Sequence, residues 1–150
     1  MDKSFILDAL DEAKKALEMN EVPVGAVIVK ENKIIARAFN LKETLNDPTA
    51  HAEILAIKKA CDKLKNWRLT GCSMYVTLEP CPMCASAIVQ SRISNLYIGT
   101  FDSSSGACGT VVDLVNNRYL NTYLNVNWLY DDGCSDILKN FFKNIRYKNI

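Results

Sequence analysis

Apolar positions along the chain change their spacing several times, and each change marks an element. Phe5, Ile6, Ala9, Leu10, Ala13, Ala16 and Leu17 recur at three- and four-residue steps, which predicts an amphipathic helix over about residues 3–19. Two β-branched runs follow, 22–30 and 33–39, separated only by Glu31 and Asn32. They predict a hairpin whose first strand is apolar enough to lie inside a sheet. A polar stretch, NLKETLNDP, ends in Asp47-Pro48-Thr49, which resembles a helix start, and the period returns to that of a helix over 50–64. Residues 73–79 (SMYVTLE) read as a third strand running straight into PCPMCASAIVQS, a helix with Pro80 as its plausible initiator. Residues 95–101 read as a fourth strand.

Beyond that point the pattern weakens. DSSSGACG is a loop, TVVDLVNN a short helix or turn, TYLNVNWLY a possible fifth strand and CSDILKNFFKNIRYK a closing amphipathic helix. The order helix, hairpin, helix, strand, helix, strand predicts an α/β fold with helices on both faces of one mixed sheet.

Composition narrows this to one globular domain spanning 1–150, with 49% apolar and 23% charged residues and neither repeat nor linker. A net charge of +1 supplies no global attraction to nucleic acid, so contact with a polyanion has to rest on a local basic patch. The first 20 residues mix acids, lysines and apolar residues, unlike a secretory signal, and no apolar run approaches the roughly 20 residues that span a bilayer. A cytoplasmic protein with no membrane partner is expected. In a reducing compartment the six cysteines are not read as disulfides, and the close pair Cys81 and Cys84 points to a metal or to redox chemistry.

The only histidine, His51, completes a set of three zinc ligands with that pair. Zinc takes nitrogen and sulfur donors in a tetrahedral arrangement, and a catalytic zinc keeps its fourth position for water. Cys81 and Cys84, three apart at a helix start, face one metal from the same turn, where the helix dipole favours thiolates. Glu53, two residues after His51, is the natural proton shuttle for water activated at such a metal. Taken singly, a lone histidine, a C-x-x-C pair and an H-x-E triplet are weak signals. Together, H-x-E and P-C-x-x-C make the established signature of the zinc deaminases of the cytidine deaminase superfamily.

Within that superfamily the chain resembles the TadA family of bacterial tRNA-specific adenosine deaminases. The likeness is carried by EVPVGAVIV, DPTAHAEI, NWRLTGCSMYVTLEPCPMC, SRISNLYIGTFD and, more loosely, FFKNIR. The resemblance implies a three-layer α/β/α sandwich around a mixed, about five-stranded sheet. It also implies one zinc per chain on His51, Cys81 and Cys84, with Glu53 as general acid and base. Water would add to C6 of adenine, Glu53 would protonate N1 and ammonia would leave, giving inosine at the first, wobble, base of an anticodon.

Further positions carry over one at a time. Asn40 resembles the asparagine that bonds the base edge, against its reading as a strand-ending turn residue. Val24 would line the base pocket, and Asp102 resembles an aspartate that contacts ribose. Phe142, Lys143 and Arg146 resemble anticodon-loop contacts, Phe142 by stacking and the two cations on phosphate, although Phe141 and Phe142 share helical spacing with core positions. The resemblance also implies the tRNA anticodon arm as partner and a homodimer in which the second chain helps to bind it. The chain departs from the family at Asn121-Thr122-Tyr123, where Asn-His-Arg is frequent; Lys139, Lys143, Arg146 and Lys148 form a local basic patch that can compensate.

The metal motif alone leaves other readings open. A zinc deaminase of free guanine, cytosine or a nucleotide uses the same ligands. A structural zinc module would need a fourth, closing ligand, and a C-x-x-C oxidoreductase would leave His51 and Glu53 without a task.

Overall fold

The computed structural model describes residues 4–148, with side chains described over 5–145. Helix α1 (Ser4–Glu18) leads into the hairpin of β1 (Gly25–Lys30) and β2 (Lys33–Phe39). Then come α2 (Ala52–Leu64), β3 (Ser73–Leu78), α3 (Pro82–Gln90) and β4 (Asn95–Thr100). The short strands β5 (Asn116–Asn117) and β6 (Thr122–Tyr123) pair with each other, and β7 (Asn125–Trp128) precedes α4 (Asp132–Lys148).

The main sheet has the order β2-β1-β3-β4-β7. β1 runs antiparallel to both neighbours, while β3, β4 and β7 are mutually parallel. The hairpin turns at Glu31 and Asn32, whose φ of 50° and 62° match the paired left-handed residues that suit the twist of a two-residue connection. As the spacing predicts, β1 is an interior strand, but it begins at Gly25 rather than Val22. There α1 lies so close that a Cβ on Gly25 would overlap the Ala9 carbonyl and the Ala13 amide. The small residues Ala9, Ala13 and Ala16 on the buried face of α1 permit that approach.

Alternation along the strands divides the interior in two. Ala26, Ile28, Met74, Val76, Leu96 and Ile98 face the layer of α2 and α3, while Val27, Val29 and Tyr75 face α1 and Cys134 of α4. On that second side Tyr75 and Tyr97, paired across β3 and β4, stack with centroids 4.3 Å apart. The architecture is therefore the three-layer α/β/α sandwich with a five-stranded mixed sheet.

Two helix starts are corrected, and one open alternative is decided. Helix α3 starts with Pro82 in its first turn and Cys81 as N-cap, so Pro80 is not the initiator. Asp47 does not open α2; its carboxylate caps a turn through the Thr49 amide and hydroxyl, and α2 begins later, with His51 as N-cap. Of the short helix or turn expected over 110–117, the structure has the turn: a bridge joins Cys108 to Asp113, and the segment then enters β5.

Candidate active site

Two helix N-termini converge here. His51 and Cys81 each hold an extended backbone as the N-cap of α2 and of α3, and their carbonyls accept the Leu55 and Ala85 amides. Cys84 lies three residues into α3, fully buried. His51 Nδ1 is 3.7 Å from Cys81 Sγ and 3.5 Å from Cys84 Sγ. A tetrahedral zinc with ordinary bond lengths spaces its nitrogen and sulfur ligands about 3.6 Å apart, so this donor set fits the ion. Among the described residues no fourth histidine, cysteine or carboxylate joins the cluster.

The electrostatics favour a cation between these groups. A hydrogen bond with Cys84, with His51 also alongside, brings the Cys81 thiol down to about 4. The same bond, reinforced by burial, pushes Cys84 up. The hydrogen bond with Cys81 raises His51 against the opposing effect of burial. A divalent metal held by both sulfurs would keep both as thiolates, because a coordinating thiol is deprotonated outright.

Glu53 enters from the first turn of α2 with 3% of its surface exposed. Burial pushes its carboxyl up to about 7, against the lowering effects of its own backbone N–H and of His51. It lines, with His51 and Cys81, a cavity of about 180 Å³. Val22, Val24 and Leu78 supply apolar wall, and Asn40, Lys42, Glu79, Asp102 and Ser105 supply polar groups.

Besides Glu53 and the metal set, three positions of the predicted site line this cavity and a fourth borders the groove next to it. Val24 is half-buried on the wall. The Asn40 amide nitrogen donates to the Val22 carbonyl and its oxygen accepts the Lys42 amide, so it is at once a turn residue and a cavity residue. One N–H of its amide is left over from these bonds. Asp102 accepts the amides and hydroxyls of Ser104 and Ser105, which outweigh burial and hold its carboxyl below the usual range. Phe142 is 48% exposed and borders an adjoining groove, while Phe141 is half-buried.

A family model of MafB19-like deaminases matches residues 2–146. The tRNA-specific adenosine deaminase of Aquifex aeolicus (strain VF5) is 48% identical over 149 residues, 97% of each chain. That of Bacillus subtilis (strain 168) is 45% identical over 148 residues, 98% of this chain and 92% of the relative. This chain belongs to the tRNA-specific adenosine deaminase family. Within solved structures, one from work on A-to-I editing by tRNA:A34 deaminases at the wobble position of transfer RNA superimposes with a TM-score of 0.86. It is 42% identical and covers 91% of this chain and all of that one.

In this deaminase family member Lys143 is exposed on α4, and the side chain of Arg146 lies outside the described residues. Lys42, Glu79 and Ser105 are cavity residues that the sequence reading missed. Glu79 carried a signal: a carboxylate closing an apolar strand run, just before the cysteine motif, has to be satisfied from elsewhere when buried. Lys42 and Ser105 carried none, because polar loop residues are ordinary on any surface.

Proposed function

We propose that this chain is a zinc-dependent hydrolase that converts adenosine to inosine at the wobble position of a tRNA anticodon and releases ammonia, with residues 1–150 acting as one deaminase domain. One observation carries the reading: a nitrogen and two sulfurs at tetrahedral spacing, with a buried carboxyl beside them on the wall of a base-accepting cavity. Near-full-length identity to enzymes named for tRNA adenosine supports the substrate.

His51, Cys81 and Cys84 hold the zinc, which when bound supplies an acidified water as nucleophile. Glu53 would take one proton from the attacking water and pass it to N1 of adenine, then take the second from the hydroxyl now on C6 and pass it to the departing amine. Burial, which raises its carboxyl, suits it to hold a proton between these transfers. Water adds at C6, the C6–N bond breaks, and adenosine plus water becomes inosine plus ammonia.

Val24, with Val22 and Leu78, encloses the base, and the remaining N–H of Asn40 reads its edge. Asp102 meets the ribose, and Phe142, Lys143 and Arg146 contact the anticodon arm. A cytoplasmic homodimer belongs to the same proposal; among the described residues no helix is long and apolar enough to cross a membrane.

The test is incubation of zinc-loaded protein with a tRNA bearing adenosine at the wobble position, followed by nucleoside mass spectrometry. Inosine at that base is expected, and its absence defeats the proposal. The cavity also accommodates a bare base, with Lys42 as its single cationic side chain, which makes a free guanine or cytosine deaminase the second reading. Ammonia release from those bases, with tRNA inert, would favour it.

A further inference from the structure

The loop after β4 carries Asp102 followed by three serines, and both Asp102 and Ser105 line the catalytic cavity. The main chain of Asp102 is pinned on both sides, its amide donating to Glu79 Oε1 at 3.0 Å and its carbonyl accepting the Gly106 amide at 3.0 Å. Its side-chain oxygens are used unevenly. Oδ1 accepts three bonds, from the Ser104 amide at 2.9 Å, the Ser104 hydroxyl at 2.7 Å and the Ser105 amide at 3.3 Å. Oδ2 accepts one, from the Ser105 hydroxyl at 3.0 Å. A carboxylate oxygen has about two lone-pair sites, so Oδ1 is filled and Oδ2 keeps one open.

The neighbouring groups decide what that open site can receive. A serine hydroxyl has one proton, and that of Ser105 is already given to Asp102, so Ser105 Oγ faces a ligand as an acceptor too. Two acceptors side by side, one of them charged, repel a phosphate and bind a hydroxyl. Against burial, the hydrogen bonds from Ser104 and Ser105 hold the Asp102 carboxyl below its usual range, so the charge persists at neutral pH. Within an RNA chain the 3′ and 5′ oxygens of a nucleotide are esterified, and the 2′-hydroxyl is the one sugar group left to donate.

We infer that Ser104 and Ser105 are positioning residues for the reaction: their hydroxyls hold the Asp102 carboxylate with Oδ2 open to the sugar of the target nucleotide, where it accepts the 2′-hydroxyl. The inference rests on the reading of the chain as an RNA deaminase and deepens it, giving the contact of Asp102 with ribose two supporting side chains. Without these hydroxyls the carboxylate keeps only the two amide bonds to Oδ1, turns more freely about its Cβ–Cγ bond and meets the sugar in several orientations. The loss falls on substrates that carry the 2′-hydroxyl and spares those that lack it, so the pair of serines sets the preference for ribose at the target. Both serines are exposed and their hydroxyls bond within the loop, so removing them leaves the core untouched.

The experiment compares zinc-loaded wild type with the Ser104→Ala/Ser105→Ala double variant on two RNA stem-loops that differ only at the target nucleotide, adenosine in one and 2′-deoxyadenosine in the other. Wild type is expected to favour the ribose substrate in kcat/KM by about tenfold or more, the size of one hydrogen bond to a charged group. In the double variant that preference should fall close to parity, through a lower kcat/KM on the ribose substrate alone, while the two proteins match on the deoxy substrate. Ser104→Thr/Ser105→Thr, which retains both hydroxyls, should keep the preference. Equal melting temperatures and zinc contents show that the variants are folded and loaded; should the double variant melt earlier, Ser105→Ala alone, which removes the bond to Oδ2, carries the same comparison. Wild type indifferent to the 2′-hydroxyl overturns the inference, as does a variant that keeps the wild-type preference. A loss of equal size on both substrates also overturns it and assigns the serines to the shape of the loop. Wild type that forms no inosine in any RNA defeats the functional reading itself, and the inference with it; the other adverse outcomes defeat the inference alone.

Discussion

Glu79 shows how one side chain holds a wall of the cavity. It is 2% exposed, and its carboxylate accepts the amides of Asp102, Cys108 and Thr110 and the Thr110 hydroxyl. The strand that delivers Cys81 is thereby tied to the loop that delivers Asp102 and Ser105. Gly106 belongs to the same arrangement, since a Cβ there would overlap the Glu79 carboxyl. Glu79→Gln replaces an acceptor oxygen by a donor facing N–H groups, and a loss of about 1–3 kcal/mol in urea unfolding is expected, with a lower kcat/KM. Glu53→Gln should behave differently: turnover falls by about 10²–10⁴, while elemental analysis finds zinc at the wild-type level. Zinc lost together with activity would place Glu53 among the ligands instead.

At the scale of elements, the loop between β2 and α2 is held by a carboxylate from the segment between α1 and β1. Glu21 is 1% exposed and accepts the Glu43 amide at 3.0 Å and the Thr44 amide at 2.7 Å. Burial alone would raise its carboxyl, but the hydrogen bonds from Thr44 and Glu43 outweigh burial and hold it below its ordinary value of 4.5. A depressed carboxylate contributes stability that is present above the unfolded value and lost as pH falls through the lower folded one. Glu21→Gln is therefore expected to cost about 1–3 kcal/mol at neutral pH. The gap from wild type should close on acidification below that window, as followed by urea unfolding at several pH values. A gap independent of pH would show that packing, not charge, secures the loop.

For the whole molecule, the three proposed metal ligands come from the N-terminal ends of α2 and α3, neighbours in one helical layer. A bound ion therefore bridges two elements 30 residues apart in sequence at His51 and Cys81. Free zinc at a hundredfold excess over its Kd adds about 2.7 kcal/mol to stability. Chelation should accordingly lower the melting temperature by about 5–10 °C, and added zinc should restore it. In Cys84→Ala the melting curve should no longer respond to chelator.

Much of this was legible in the chain itself. Periods of two and of three to four located the principal strands and helices, because pleating and helical pitch bury one face of each element. The clustering of the candidate metal set was legible because zinc accepts few residue types and Cys81 and Cys84 are close in sequence. Prolines at both 80 and 82 suit a helix start, and only the extended backbone of Cys81 between them decided for Pro82. Residues 110–117 carry apolar doublets but no period, and the tie of Thr110 to Glu79 with the Cys108–Asp113 bridge keeps the segment out of a helix. Which of Phe141 and Phe142 faces solvent, and that Lys42 and Ser105 meet at one cavity, were decided by tertiary structure alone. Local sterics and periodic burial are written along the chain, whereas contacts between distant loops exist only after three layers have packed and set the distance between their ends.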